Sequence, residues 1–171
     1  MTLILSGTDG LSDIDGSAAT PAIRGTDANT GIYFPGADRL GFSTGGIQRG
    51  EFDASGNFLM NSGYGSVATA YGCRAWVNFN GTGTVAIRAS GNVTSITDNG
   101  TGNYTINFTT AMPDANYAVS TGGCYLDNNT VERNFGVTTE SFATSSVRIL
   151  SADMTSGSAL DVAVVSASIF R

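Results

Sequence analysis

Apolar and polar positions in this chain alternate with a period of two over short stretches, and no window sustains a helical period. Ala75, Val77 and Phe79 share one face against Trp76 and Asn78, and Val85 and Ile87 share another. Tyr104, Ile106 and Phe108 alternate cleanly with Thr105 and Asn107. Residues 117–119, 135–137 and 147–149 repeat the pattern. Residues 160–170 are apolar or small on both faces. Leu160, Val162 and Val164 fall on one side, Ala163, Val165, Ala167 and Ile169 on the other. Such a strand is central in its sheet or covered on both sides. Turn sequences separate the strands: Asn80-Gly81-Thr82-Gly83, Asp98-Asn99-Gly100-Thr101-Gly102, Pro113-Asp114-Ala115-Asn116 and Asp127-Asn128-Asn129. Roughly seven or eight strands at spacings of about ten residues predict an antiparallel β-sandwich over residues 63–171.

The first third carries a thinner pattern. Ile32 and Phe34, then Leu40 and Phe42, then Ile47, stand on very short strand-like pieces between Gly, Asp, Asn and Pro turns. Asp53-Ala54-Ser55-Gly56-Asn57 is a tight turn between two more pieces, with Gly56 supplying the positive backbone angle. The pieces are too short and too far apart to bury themselves within one copy of the chain. Ile32, Phe34, Leu40, Phe42 and Ile47 therefore predict an oligomer core, shared by several copies wound around an axis. Residues 1–62 are expected to form a thin intertwined stalk. Residues 61–70, beginning Asn61-Ser62-Gly63-Tyr64-Gly65-Ser66, read as a flexible connection.

Composition sharpens the fold class to all-β. Only 13% of residues are charged, all eight basic residues are Arg, and the helix formers Lys, Glu and Gln are scarce or absent. A net charge of −6 without an Arg cluster argues against nucleic acid, whose phosphates need a basic patch. No apolar run reaches the length of a membrane span, so no membrane insertion is expected. The start, Met1-Thr2-Leu3-Ile4-Leu5-Ser6, lacks a basic leader and a long apolar core, which predicts synthesis and folding in a cytoplasm. Cys73 and Cys124 each follow a Gly and are expected to be small buried residues with free thiols, although a disulfide between them is possible in principle.

These residues resemble a known class of proteins. Residues 3–16, then Pro21-Ala22-Ile23-Arg24-Gly25-Thr26-Asp27 and Thr30-Gly31-Ile32-Tyr33-Phe34-Pro35, are similar to the amino-terminal segment of tail-fibre-type proteins of double-stranded DNA bacteriophages. Asp38-Arg39-Leu40-Gly41-Phe42 and the stretch from Phe52 to Asn57 follow in the same order as in that family. The second part, from Ala75-Trp76-Val77-Asn78-Phe79 through Met112-Pro113-Asp114-Ala115-Asn116-Tyr117, is similar in outline to the lectin-like or jelly-roll-like heads of such fibres. The resemblance implies a homotrimeric virion protein, assembled in the bacterial cytoplasm. Its N-terminus would meet other tail, baseplate or capsid proteins, and its head would touch the host surface. Many members place a self-cleaving chaperone domain after the Ser-Gly-Asn turn; this chain has the sandwich there, so no maturation protease is expected.

Chemistry is sparse. The absence of His excludes the common serine and cysteine triads and, with two Cys, a structural zinc site. Paired carboxylates would be needed for glycoside hydrolysis, and Asp98, Asp114, Asp127, Glu132, Glu140, Asp153 and Asp161 fall mostly at turns, where Asp shapes backbone. Asp9, Asp13, Asp15 and Gly16 miss the spacing of a calcium loop because Leu11 takes its first position. No enzyme activity, cofactor or metal is expected. The Asn-x-Thr triplets follow from a Thr- and Asn-rich composition and do not signal glycosylation.

Carbohydrate binding is the sharper expectation. Sugars are held by an aromatic face under the ring and by Asn, Asp and Arg at the hydroxyls. Tyr125, Asp127, Asn128, Asn129 and Arg133 offer these groups in one loop and are the candidate receptor-binding residues. Trp76 has a face to stack a sugar, but its position opposite Val77 and Phe79 predicts packing against the stalk or a neighbouring subunit. The function expected is a phage fibre that binds host surface polysaccharide. The alternative is a non-receptor structural virion protein: a capsid decoration, head fibre or baseplate connector.

Overall fold

Short β-branched and aromatic runs between Gly- and Asx-rich turns give strands, and no helix forms among the described residues. The computed structural model describes residues 5–6, 10–11, 14–63, 65–124 and 135–171, with side chains for 14–63, 65–123 and 136–171. The chain folds as two units, Met1–Ala70 and Tyr71–Arg171.

In the N-terminal unit β1 (Leu5–Ser6) pairs with β2 (Gly10–Leu11). Six further strands form an antiparallel sheet in sequence order: β3 (Ile23–Arg24), β4 (Gly31–Tyr33), β5 (Leu40–Thr44), β6 (Ile47–Phe52), β7 (Phe58–Met60) and β8 (Ala68–Thr69). Local chemistry makes the hairpins. Gly45 and Gly46, with φ of 60° and 74°, join β5 to β6 as only a tight hairpin of this hand allows. Between β6 and β7 the Asp53 carboxylate accepts the N–H groups of Ser55 and Asn57, each at 2.9 Å, and Gly56 turns the chain at φ 79°. Beyond the hairpin expected at Asp53–Asn57, the short pieces pair in one continuous sheet within one copy, which the sequence reading did not anticipate. Part of the presumed connection also joins the sheet, because Leu59 and Met60 pair with Thr69 and Ala68.

The C-terminal unit holds β9 (Cys73–Asn80), β10 (Ala86–Gly91), β11 (Val93–Asp98), β12 (Asn103–Phe108), β13 (Ala118–Cys124), β14 (Phe135–Phe142), β15 (Ser146–Asp153) and β16 (Val164–Phe170). They make two antiparallel four-stranded sheets, ordered β10-β9-β16-β13 and β11-β12-β15-β14. One buried core lies between them. Ala75, Val77 and Phe79 of β9 and Val165, Ala167 and Ile169 of β16 share it with Tyr104, Ile106 and Phe108 of β12 and Val147 and Ile149 of β15. Phe79 meets Tyr104 edge-on, with ring centroids 5.1 Å apart. Burying each large apolar side chain here contributes about 1.5–3 kcal/mol. β9–β10 and β11–β12 stay as hairpins within a sheet, unlike a jelly roll, in which consecutive strands alternate between sheets.

A single residue turns the chain from one sheet to the other. Asn92, between β10 and β11, has φ 56°, and its side chain ties the corner down. Its amide donates to the carbonyls of Arg74 and Thr110, both at 3.1 Å, and its Oδ1 accepts the Thr110 N–H at 2.7 Å. Asn is one of the few residues with a side chain that tolerates this left-handed conformation.

Two sequence expectations are corrected. The last strand starts at Val164 and not at residue 160. Before it, Asp161 accepts the Gly102 N–H at 2.6 Å and the Val162 carbonyl accepts Gly81 N–H at 3.0 Å, so this segment closes one end of the core. From Val164 onward β16 is indeed central, between β9 and β13. Cys73 is a free thiol, as expected, but it is exposed. It opens β9 beside a register shift against β16, off the buried Ala75–Val77–Phe79 alternation.

Candidate functional site

Cross-strand register decides what each face of the N-terminal sheet carries, because directly opposed residues project to the same side. One row runs Ile23, Ile32, Phe42, Gly50, Met60, Ala68, and a second runs Leu40, Phe52, Phe58. A shift in the β5–β6 pairing, at Arg49, sets Ile47 opposite Thr44 and so on this same side. One face therefore gathers almost all the large apolar side chains of the sheet. Of the predicted oligomer-core residues, Ile32, Phe34, Leu40 and Phe42 are half-buried and Ile47 is 51% exposed. Phe52 is 46% exposed and Met60 45%, with Ile23 and Phe58 also exposed. Sequence reasoning missed these four as members of the group. Their signal was the i, i+2 spacing of Phe58 and Met60 and the turn that folds β7 back on β6. Phe52 bridges Phe42 and Phe58, with centroids 6.5 and 5.3 Å away.

The opposite face centres on a buried polar group, Tyr33 and Glu51, with Leu59 half-buried and Thr69 exposed at its edge. Tyr33, Gly41, Glu51, Leu59 and Thr69 form one row across it. A side chain on Gly41 would collide with the Tyr33 ring at 2.5 Å, so glycine lets the tyrosine lie across β5 towards Glu51. Glu51 is only 1% exposed. Its two carboxylate oxygens accept from Arg39 Nε and Gln48 Nε2. Burial, and then the Glu51 charge, push the Tyr33 hydroxyl above its ordinary pKa. Arg39 is held more firmly protonated by its hydrogen bond to Glu51. The sequence reading did not single out Glu51; its position one residue out of phase with Phe52 is what sends it to this face.

The described carboxylates of the C-terminal unit cap backbone N–H groups, pair with Arg or, in Asp161, also accept a buried tyrosine hydroxyl. Asp98 accepts the Gly100 N–H at 2.9 Å, and Asp153 accepts those of Thr155 and Ser156 at 2.7 and 3.0 Å. Glu140 pairs with Arg148 at 2.8 Å. Asp114 accepts the Asn116 N–H and pairs with Arg171, and these two partners, in that order, hold its carboxyl below the usual range. Among the described residues no group of three or more His, Cys, Asp or Glu is placed to hold a metal ion.

The receptor-binding candidates Tyr125, Asp127, Asn128, Asn129 and Arg133 lie outside the described residues, as do Glu132, Asp9 and Asp13. The segment that carries the five candidates joins β13 to β14, an edge strand of each sheet. Comparison with protein-family models, curated proteins and solved structures finds no match to this chain.

Proposed function

We propose that this chain is a homotrimeric fibre protein of a bacteriophage virion that binds a host cell-surface glycan during adsorption. The observation that carries the reading is the apolar face of the N-terminal sheet, where Ile47, Phe52 and Met60 are each about half exposed in a single copy. Exposed apolar side chains grouped on one face are costly in water, which supports a shared interface. A sheet face whose neighbours are the same face of other copies buries it at every subunit. The amino-terminal resemblance to phage tail-fibre proteins supports a virion setting, with this unit also meeting tail, baseplate or capsid proteins. The sandwich-like C-terminal unit supports a lectin-like head. Several weak glycan sites on one trimer, and several trimers on one particle, gain adhesion by multivalency. The reading includes no catalytic step, cofactor or metal.

One observation favours the structural alternative. The longest strand of the N-terminal sheet has six residues, about 20 Å of extended chain, so this unit adds little reach. A capsid decoration or connector needs no more. The two readings separate by binding purified full-length protein to intact candidate host cells, with and without removal of surface polysaccharide. Binding that is lost on stripping supports the receptor reading; an oligomer that ignores every permissive host supports the structural one.

A further inference from the structure

The outer face of the β10-β9-β16-β13 sheet carries an exposed Trp among small and polar residues. One row across it runs Ser120, Ser168, Trp76, Gly91, and the next runs Gly122, Ser166, Asn78, Ala89. Trp76, the single Trp of the chain, is 43% exposed there among small and polar neighbours. Its indole leans across β10. A Cβ on Gly91 would meet Nε1 at 2.5 Å and Cδ1 at 2.9 Å, so the glycine leaves the space that the ring occupies. A bulge in β10 falls between Ile87 and Ala89, which inserts Arg88 and brings its guanidinium to the same face. There Arg88 donates to Asn78 Oδ1 at 3.4 Å and to the Ala163 carbonyl at 2.7 Å.

We infer that this face is a saccharide-binding platform, with the Trp76 indole under the apolar side of a pyranose ring and Asn78, Arg88, Ser168 and Ser120 at its hydroxyls. The inference rests on the glycan-binding reading above and gives it a location different from the 125–134 segment. Three features select a sugar over other occupants. The face carries two exposed aromatics, Trp76 and, two residues along β16 from Ser168, Phe170, set among Ser, Gly, Ala and Asn, a sparser apolar set than that of the N-terminal sheet. Its basic groups are few, Arg88 and the exposed Arg74 two residues before Trp76, on a chain of net charge −6, which does not favour a polyanion. An aromatic plane ringed by amide, guanidinium and hydroxyl groups matches the alternating apolar and hydroxyl faces of a hexose.

The test uses the full chain on an array of purified bacterial O-polysaccharides and capsular polysaccharides, followed by fluorescence titration with oligosaccharide cut from the strongest binder. With one Trp in the chain, its emission reports this face directly. The expected result is a saturable change in Trp emission on binding. Trp76→Ala should weaken binding about tenfold or more. Gly91→Ala, which displaces the indole without removing it, should weaken it less, with melting temperature close to wild type. Array binding that leaves Trp emission unchanged and survives both substitutions overturns the platform and leaves the receptor reading standing. Failure to bind both the array and permissive cells overturns the two together.

Discussion

The Tyr104 hydroxyl lies 2.7 Å from Asp161 Oδ1 and 2.8 Å from the Gly81 carbonyl, at a position with no solvent exposure. The contact joins the middle of one sheet to the segment that precedes the last strand of the other. Asp161 also accepts the Gly102 N–H, so one carboxylate fixes a turn and the approach to β16 together. Removing the hydroxyl in Tyr104→Phe leaves buried acceptors short of a donor, which costs about 1–3 kcal/mol. The measurement is the midpoint of urea unfolding followed by a probe of the C-terminal unit.

The same pair sets an alkaline limit. Burial, and then the neighbouring Asp161, raise the Tyr104 hydroxyl pKa far above its ordinary value near 10. A raised folded-state pKa contributes stability that is full below the unfolded value and is lost as pH climbs above it. Stability should therefore hold to about pH 10 and decline beyond. Tyr104→Phe should flatten that decline while lowering stability at neutral pH. A decline of equal slope in both proteins would show that another group titrates.

The Glu51 carboxylate is 2% exposed while its partner Arg39 is 43% exposed, so the two sides of the pair respond differently to deletion. Arg39→Ala leaves a buried carboxylate with Gln48 as its remaining side-chain partner, and should lower the stability of the N-terminal unit, by less than deletion of a partner in a wholly buried pair would. Glu51→Gln keeps the shape and should cost less. Calorimetry checks this in the N-terminal unit, as a shift in a transition that Tyr104→Phe does not move. Equal effects of the two substitutions would deny that the buried charge is the issue.

At the corner between the two sheets, Asn92→Ala removes three hydrogen bonds and places a Cβ residue without the Asn compensation at φ 56°. A loss of about 2 kcal/mol or more is expected, with Asn92→Gly recovering only the backbone part. Denaturant unfolding of the two variants separates the terms.

What the sequence made legible was local. Tyr104, Ile106 and Phe108 announce a half-buried strand because the period of two lies within six residues, and Asp53 to Asn57 announce a hairpin because the turn satisfies itself. What depended on register was not legible. Phe52, Phe58 and Met60 join Ile32 and Phe42 on one face only once three hairpins fix which residues stand opposite. Glu51 meets Arg39 across the β5–β6 hairpin, twelve residues away, and no short-range pattern marks the pair. Cys73 was placed inside by its type, whereas a register shift at the start of β9 puts it at the surface. Trp76 was rightly set opposite Val77 and Phe79, but the space it occupies comes from Gly91 on the next strand.

Sharing of the apolar face of the N-terminal sheet between copies underlies the proposed trimer. Its most direct test is the mass in solution of the full chain beside Phe42→Asp and Phe34→Asp. The wild type should be a single species near three times the 17.5 kDa chain. Each variant should collapse towards one chain, because several charges would be forced close together on one apolar surface. A wild-type monomer, or an oligomer that survives both substitutions unchanged, would contradict it.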